Sequence, residues 1–376
     1  MDTKLNGPLG RIARVRKMME ERGYDAVVVR DEANLRWLTG AKGTFDYTFE
    51  FPHVTFITAD ECYFHTDSRY FNTFQENLPV DSPWKLDMNE GTMPRWVAER
   101  ARDTRSRVIA VEDDMQISFY FGIMRALEDL SITASLPQLH HDLQRMRAVK
   151  DDEEIALMRQ AQSITDAAFQ HMLTFIKPGL TEKEIRTELE NFMFSNGADS
   201  LAFGSIVASG PNTANPHAVP SDRVVQRGDF VLMDYGAGYC DYRSDMTRTV
   251  VVGEPTPEQL DLYALVRRTH EECAAAVHAG VEGNDIFKLS RKIIGDAGYG
   301  DYYNHGLGHG VGIDIHEMPN FNRSMNIIEA GSVITIEPGV YLPGIGGVRL
   351  EDYGVVTENG YEPFTKSSHE LQVIDC

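Results

Sequence analysis

Between His305 and Gly312 every second residue is glycine, in the run HGLGHGVG. Glycine is among the weakest helix formers, so this spacing excludes a stable helix. In an extended chain His305, Leu307, His309 and Val311 fall on one face and the opposite face is bare. A bare face lets neighbouring backbone approach closely. Two histidines on the dressed face can then divide the work, one as a ligand and one as a proton or hydrogen-bond partner. His316 follows in IDIHEMP, beyond an expected bend. A single histidine is more often a satisfied polar residue than a ligand, but three within twelve positions, set among glycines, point to a site.

Four acidic residues stand around this run in comparable Gly-, Thr- or Pro-marked settings. They are Asp234 in MDYGAGY, Asp245 in RSDMTRT, Glu337 in TIEPGVY and Glu351 in GGVRLEDYG. With His309 they make a hard, oxygen-rich donor set that suits Mn²⁺, Fe²⁺, Co²⁺ or Zn²⁺. They also carry enough charge for two divalent ions side by side. Taken singly, each has a plainer reading, since strand-end aspartates and Glu-Pro-Gly are common turn formers. The pairing of Asp234 and Asp245 within one hairpin raises the functional reading. Asp245, Thr247 and Thr249 alternate onto one strand face, and so do Arg349 and Glu351. An arginine beside a metal-binding glutamate can fix that carboxylate's orientation. His217 lies in the Pro- and Asn-rich loop PNTANPHAVPSDR and, standing alone, reads as a solvated histidine.

The chain has 376 residues, which predicts two domains. A formal net charge of −21 disfavours nucleic acid and anionic membranes as partners. No apolar run approaches a membrane span and the N-terminal stretch lacks a signal pattern, so a cytoplasmic location is expected. Cys62, Cys240, Cys273 and Cys376 match no zinc spacing and read as reduced, buried thiols.

Residues 1–135 read as an α/β unit. It has helices at Pro8–Arg22, Pro94–Arg102 and Ile117–Leu127, a hairpin from His53 to His65, and buried strands at Ala26–Val29 and Val108–Val111. Residues 136–150 read as a linker. From 151 to 376 the order is helix pair, strands, helix pair, strands. The first pair spans Asp151–Ile176 and a helix opened by a Thr181–Glu184 capping box. The second spans Pro257–Ala279 and Asp285–Ala297. This order suggests two similar α+β halves sharing one sheet, with a site between them. His65, Asp67 and Arg69 in HTDSRY read as a polar strand end rather than a second site.

With these motifs in place, residues 150–376 resemble the metallopeptidases that include prolidase, aminopeptidase P, methionine aminopeptidase and creatinase, whose catalytic domain has the pita-bread fold. The first half is similar to the N-terminal domain of the prolidase, aminopeptidase P and creatinase branch. Methionine aminopeptidases lack that domain. The resemblance implies an α+β architecture, with a pita-bread catalytic domain behind a smaller α/β domain. It implies that Asp234, Asp245, His309, Glu337 and Glu351 hold two divalent ions, Mn²⁺ first and Co²⁺, Zn²⁺ or Fe²⁺ as alternatives, with Glu351 bridging. It further implies that His217, His305 and His316 line the substrate pocket, and that Arg349 is the arginine near the bridging glutamate. The creatinase branch does not keep the metal ligands, whereas all five are present here.

The implied activity is hydrolysis of the bond before proline. Two cations acidify a water, Glu337 shuttles the proton to the leaving amine, and His316 helps to stabilise the oxyanion. The expected substrate is a small peptide with proline at its second position, acted on by a homodimer. A prolidase restricted to dipeptides is the first reading and an Xaa-Pro aminopeptidase acting on longer peptides the second. A non-peptidase C–N hydrolase or lyase, or a binding module on the same fold, are the remaining alternatives.

Overall fold

The computed structural model describes residues 7–41, 52–88, 91–321 and 327–375. Cys376 lies outside the described residues. The chain divides into two compact units, Met1–Arg147 and Ala148–Cys376.

The first unit is built on a mixed five-stranded sheet. Its strands are β1 (Ala26–Val29), β2 (Val54–Thr58), β3 (Cys62–His65), β4 (Trp84–Asp87) and β5 (Ile109–Val111), in the order β4-β3-β2-β1-β5. β1 pairs antiparallel with β2 and parallel with β5. AVVV is buried at every position because helices leave neither face to water. The helices are α1 (Gly7–Arg22), α2 (Glu32–Thr39), α3 (Phe71–Asn77), α4 (Met93–Thr104), α5 (Ile117–Asp129) and α6 (Asp142–Ala148). Four of these elements go beyond the sequence reading: α2, α3, β4, and α6, which lies within the expected linker 136–150. Each is short, and α2 is started by a local cap, the Asp31 carboxylate on the Asn34 N–H, rather than by an apolar stripe. Cys62 is buried here, as Cys273 is in the second unit, and burial pushes these thiols up to about 11 and about 12.

In the second unit a helix pair lies on a sheet twice over. The first pair is α7 (Asp152–Phe175) and α8 (Glu182–Ser195), each opened by a complete capping box. The strands that follow are β6 (Ser200–Leu201), β7 (Ile206–Ser209), β8 (Phe230–Tyr235), β9 (Ala237–Tyr239), β10 (Tyr242–Arg243) and β11 (Met246–Val252). Then come α9 (Pro257–Ala276) and α10 (Gly283–Asp296), followed by β12 (His309–Gly310), β13 (Glu317–Asn320) and β14 (Val333–Ile336). The last strands are β15 (Gly339–Leu342), β16 (Gly346–Arg349), β17 (Asp352–Thr357), β18 (Gly360–Pro363) and β19 (Val373–Ile374). Phe169, Met172, Ile185 and Leu189 pack on Val231, Met233 and Val250 in one half. Cys273, Val277 and Ile286 pack on Leu307, Ile334 and Val356 in the other. Among the described residues no helix is long and apolar enough to cross a membrane.

One shared sheet was expected, but the strands form two principal ones, β19-β11-β8-β7 and β13-β12-β14-β17-β18. The ladders break at three of the four acidic residues, whereas Asp234 stays paired within β8. Asp245 separates β10 from β11, Glu337 and Pro338 separate β14 from β15, and Glu351 separates β16 from β17. Pro338 has no N–H to continue a ladder. Across the gap Glu351 N–H donates to the Thr247 carbonyl and Arg349 N–H to the Thr249 hydroxyl.

The glycine run also departs from a regular strand. Only His309 and Gly310 enter the ladder, and the register shifts between them. The alternation therefore fails: Leu307 and Val311 are fully buried, whereas His305 and His309 face a cleft. The close backbone approach does hold. A Cβ at Gly308 would collide with the Thr335 carbonyl, and one at Gly310 with the Met318 carbonyl.

Glu182, in the first turn of α8, is 1 % exposed and anchors the loop that follows β7. Its carboxylate accepts from Ser209 N and Oγ, Asn212 Nδ2, and Ser221 N and Oγ, at 2.6–3.0 Å. Glu182→Ala would leave these buried donors without their acceptor. It should destabilise the protein by about 3 kcal/mol, read as a lower urea midpoint at unchanged m-value.

Candidate active site

One cleft of about 390 Å³ in the second unit is lined by all nine residues singled out from the sequence: His217, Asp234, Asp245, His305, His309, His316, Glu337, Arg349 and Glu351. Phe203, Ile206, Pro216 and Ile315 supply an apolar part of its wall.

The carboxylates arrive at strand breaks and strand ends: Asp234 is paired in β8, Glu337 N–H donates to the Leu307 carbonyl and Glu351 N–H to the Thr247 carbonyl. Asp234, near the end of β8, accepts from Arg349 Nη2 at 2.6 Å through Oδ2. Its Oδ1 is buried with no hydrogen-bond partner among the described residues. Glu351 Oε2 accepts from the Thr247 hydroxyl at 2.7 Å. Asp245 Oδ2 lies 3.6 Å and Glu337 Oε1 3.5 Å from His309 Nε2. His309 Nδ1 faces the Gly310 carbonyl at 3.1 Å. With Nδ1–H donated there, Nε2 turns its lone pair towards the acids. One donor atom each from Asp245, His309 and Glu351 lies within 4.8 Å of the other two.

Four carboxylates thus share a cleft with one guanidinium. Burial, and then the charges of Glu351, Asp234 and Glu337, pushes Asp245 well above the carboxylate range. Burial, Glu337 and Asp234 do the same to Glu351. Burial carries Glu337 up to about 8 against the pull of Arg349. The imidazoles move the other way: burial, with His316 beside it, pushes His309 down to about 3. Acids that resist ionisation next to a neutral imidazole with an available lone pair are what a divalent cation would stabilise. The orphaned Asp234 Oδ1 is a donor atom of the same kind. The residues present therefore fit divalent metal ions.

Arg349 does more than stand beside a glutamate. Besides Asp234 it donates to the Thr247 hydroxyl at 3.1 Å, to the Tyr341 hydroxyl at 2.8 Å and to the Pro216 carbonyl at 3.3 Å. Its Nε is 4.0 Å from Glu337 Oε2. Its charge-assisted bond therefore goes to Asp234 and not to Glu351, as the sequence alternation had suggested. The reason is that the chain turns out of the ladder at Leu350, where β16 has ended and β17 has not begun. Because Tyr341 Oη accepts from Arg349, it donates onward to His305 Nε2 at 2.9 Å, and His305 Nδ1–H reaches the Gly306 carbonyl at 2.7 Å. Burial and the Arg349 charge push His305 down to about 4, so both nitrogens of a neutral ring are engaged. His217 and His316 are exposed at the mouth, with the His316 ring 4.2 Å from that of His309. Tyr341, Glu182 and Thr335, whose hydroxyl accepts from the His309 N–H at 3.0 Å, were not found from the sequence. Tyr341, in TIEPGVY, reads only as an apolar strand residue, and no local spacing signals its hydroxyl.

The model of metallopeptidase family M24 matches residues 156–358, and that of the creatinase/prolidase N-terminal domain matches residues 11–149. The chain is 35% identical to an uncharacterized peptidase of Bacillus subtilis, over 97% of this chain and all of that one. An Xaa-Pro dipeptidase from Bacillus anthracis superposes with TM-score 0.90 at 36% identity, covering 98% of this chain and 100% of the other. An X-Pro aminopeptidase from Thermotoga maritima gives TM-score 0.85 at 31% identity, covering 95% and 100%.

The metal-free site has a pH signature. Glu337 titrates near 8 in the fold and at its ordinary 4.5 when unfolded. Between those values the native state holds more protons than the unfolded chain. The stability this group contributes is complete below its unfolded pKa and is lost as pH rises through its folded pKa. Thermal unfolding of metal-stripped protein from pH 5 to pH 8 should show a falling Tm, less steep in Glu337→Gln. Added divalent cation should oppose the fall, because it binds the deprotonated acids.

Proposed function

The chain belongs to metallopeptidase family M24, with the creatinase/prolidase N-terminal domain and the pita-bread α+β fold, and we propose that it is an Xaa-Pro dipeptidase using two divalent ions. The observation that carries this reading is the convergence of five donor residues and three further histidines on one cleft with an apolar wall. Asp234, Asp245, His309, Glu337 and Glu351 would hold the ions, and the carboxylate-rich set favours Mn²⁺, with Co²⁺, Zn²⁺ and Fe²⁺ as alternatives. When bound, such ions act as Lewis acids that polarise a carbonyl and acidify water.

The chain's own residues would do the rest. Glu337 takes a proton from the attacking water and passes it to the departing proline nitrogen as the C–N bond breaks. His316 donates to the oxygen on which charge develops. Arg349 keeps Asp234 oriented and, through Tyr341, keeps His305 in one tautomer. Phe203, Ile206 and Ile315 offer a proline ring an apolar wall. A bond before proline has no N–H, so no acceptor is required at that nitrogen. The acidic composition and the buried thiols of Cys62 and Cys273 suit a cytoplasmic enzyme, and the expected assembly is a homodimer.

One observation favours the second reading, an Xaa-Pro aminopeptidase. Among the described residues lining the cleft the only guanidinium is that of Arg349, and it is engaged by Asp234. That leaves the exposed His217 and His316 to meet a dipeptide's carboxylate, which a longer substrate does not present there.

Protein reconstituted with Mn²⁺ should hydrolyse Leu-Pro, with a kcat for His316→Ala lower by about 100-fold. Cleavage of an Xaa-Pro-Yaa tripeptide in preference to the dipeptide would move the assignment to the aminopeptidase. Cleavage of neither, with metal bound, would remove proline peptides as substrates.

A further inference from the structure

Away from the cleft, α9 carries His270, 1 % exposed, and neither of its ring nitrogens has a hydrogen-bond partner among the described residues. A buried polar group without a partner is rare in native proteins and calls for an occupant. Burial pushes the His270 imidazole down to about 4, so at neutral pH one nitrogen presents a lone pair. Asp352 Oδ2 lies 3.7 Å from His270 Nε2, and His369 Nε2 lies 2.6 Å from that same oxygen. The two rings meet edge to face with centroids 4.8 Å apart. One donor atom from each of the three residues lies within 4.8 Å of the other two.

We propose that His270, Asp352 and His369 form a further divalent-cation site, separate from the catalytic cleft and suited to Zn²⁺. Two imidazoles and one carboxylate are a zinc donor set, softer than the carboxylate-rich set of the cleft. The carboxylate is prepared for this role. Its Oδ1 is held by Arg248 Nη2 at 2.7 Å, which leaves Oδ2 to bind. Asp352 follows Glu351 directly, but it faces away from the cleft, as successive residues of an extended chain do. None of the three residues lines the cleft.

Access comes from His369, whose side chain is 27% exposed whereas those of His270 and Asp352 are buried. Its present contact with Asp352 is a hydrogen bond. Binding of an ion would release that proton and open the pair to about 3.3 Å, the ligand spacing of a tetrahedral site with bonds near 2.0 Å. The fourth position is left to water. An ion here would tie α9, the start of β17 and the segment before β19 at one point. Arg248 links that point to the cleft, because it also donates to the carbonyls of Thr247 and Glu351.

The test is a zinc count on stripped protein dialysed against Zn²⁺. It is made in the parent, in His369→Ala, in a cleft-disabled variant Asp245→Asn/His309→Ala, and in that variant with His369→Ala added. The expected result is one equivalent per chain fewer in His369→Ala than in the parent. The cleft-disabled variant should keep one equivalent, and its zinc affinity should fall about ten-fold or more when His369→Ala is added. Zinc should also raise the Tm of the cleft-disabled variant and not that of its His369→Ala derivative. His369 is partly exposed, so its removal spares the core, whereas His270→Asn is a second test provided that it folds. An unchanged zinc count in His369→Ala, or a cleft-disabled variant that retains no zinc, would overturn the site whatever the peptidase assays give.

Discussion

Repulsion among four carboxylates, two buried and two partly buried, opposed by one guanidinium among the described residues of the cleft, is the constraint on which the second unit depends. Burying like charges together is unfavourable unless something compensates, and here the compensation is divided. Arg349 neutralises Asp234, Thr247 donates to Glu351, and the remaining acids are pushed towards their protonated forms. A group of acids that the fold alone leaves unsatisfied is chemically suited to a cation. This is why the site is intelligible as a metal centre before any ion is considered.

The sheets are arranged to tolerate this. A regular ladder would turn every second side chain into a packed layer. By breaking at Asp245, at Glu337–Pro338 and at Glu351, the strands deliver carboxylates to a cleft at points where the backbone is satisfied by other means. The bulge between His309 and Gly310 does the same for an imidazole, while Leu307, two residues before His309, goes to the core. Glycine at 308 and 310 is required there because carbonyls of the neighbouring chain occupy the space of a side chain. Behind the donor residues lies a second set of contacts. The Arg349–Tyr341–His305 relay fixes a tautomer, and Glu182 ties down the loop that brings Pro216 and His217 to the mouth.

Much of this was legible along the chain. The long helices were read because their signals are local: an apolar stripe, an acidic first turn, and the capping boxes at Asp151 and Thr181. The nine residues of the cleft were read because hard ligands, glycines and prolines mark unusual backbone. What escaped had a weak local mark, such as the single cap of α2, or none. The helices α2 and α3 are too short for periodicity to show, Glu182 acts through Ser209 27 residues away, and Tyr341 meets His305 36 residues away. His270 sits in an ordinary amphipathic helix, and Asp352 and His369 meet it only in space.

The sequence by itself determined the family, the α+β alternation and the identity of the groups that meet in the cleft. These follow from residue chemistry and short-range spacing, which survive without knowledge of contacts. Only the tertiary structure decided that one expected sheet is two, that Arg349 holds Asp234 rather than Glu351, and that His305 is tied while His217 and His316 are exposed. Those outcomes depend on which distant atoms reach within hydrogen-bonding distance. That is set by where strands break and chains cross, and no spacing along the chain encodes it.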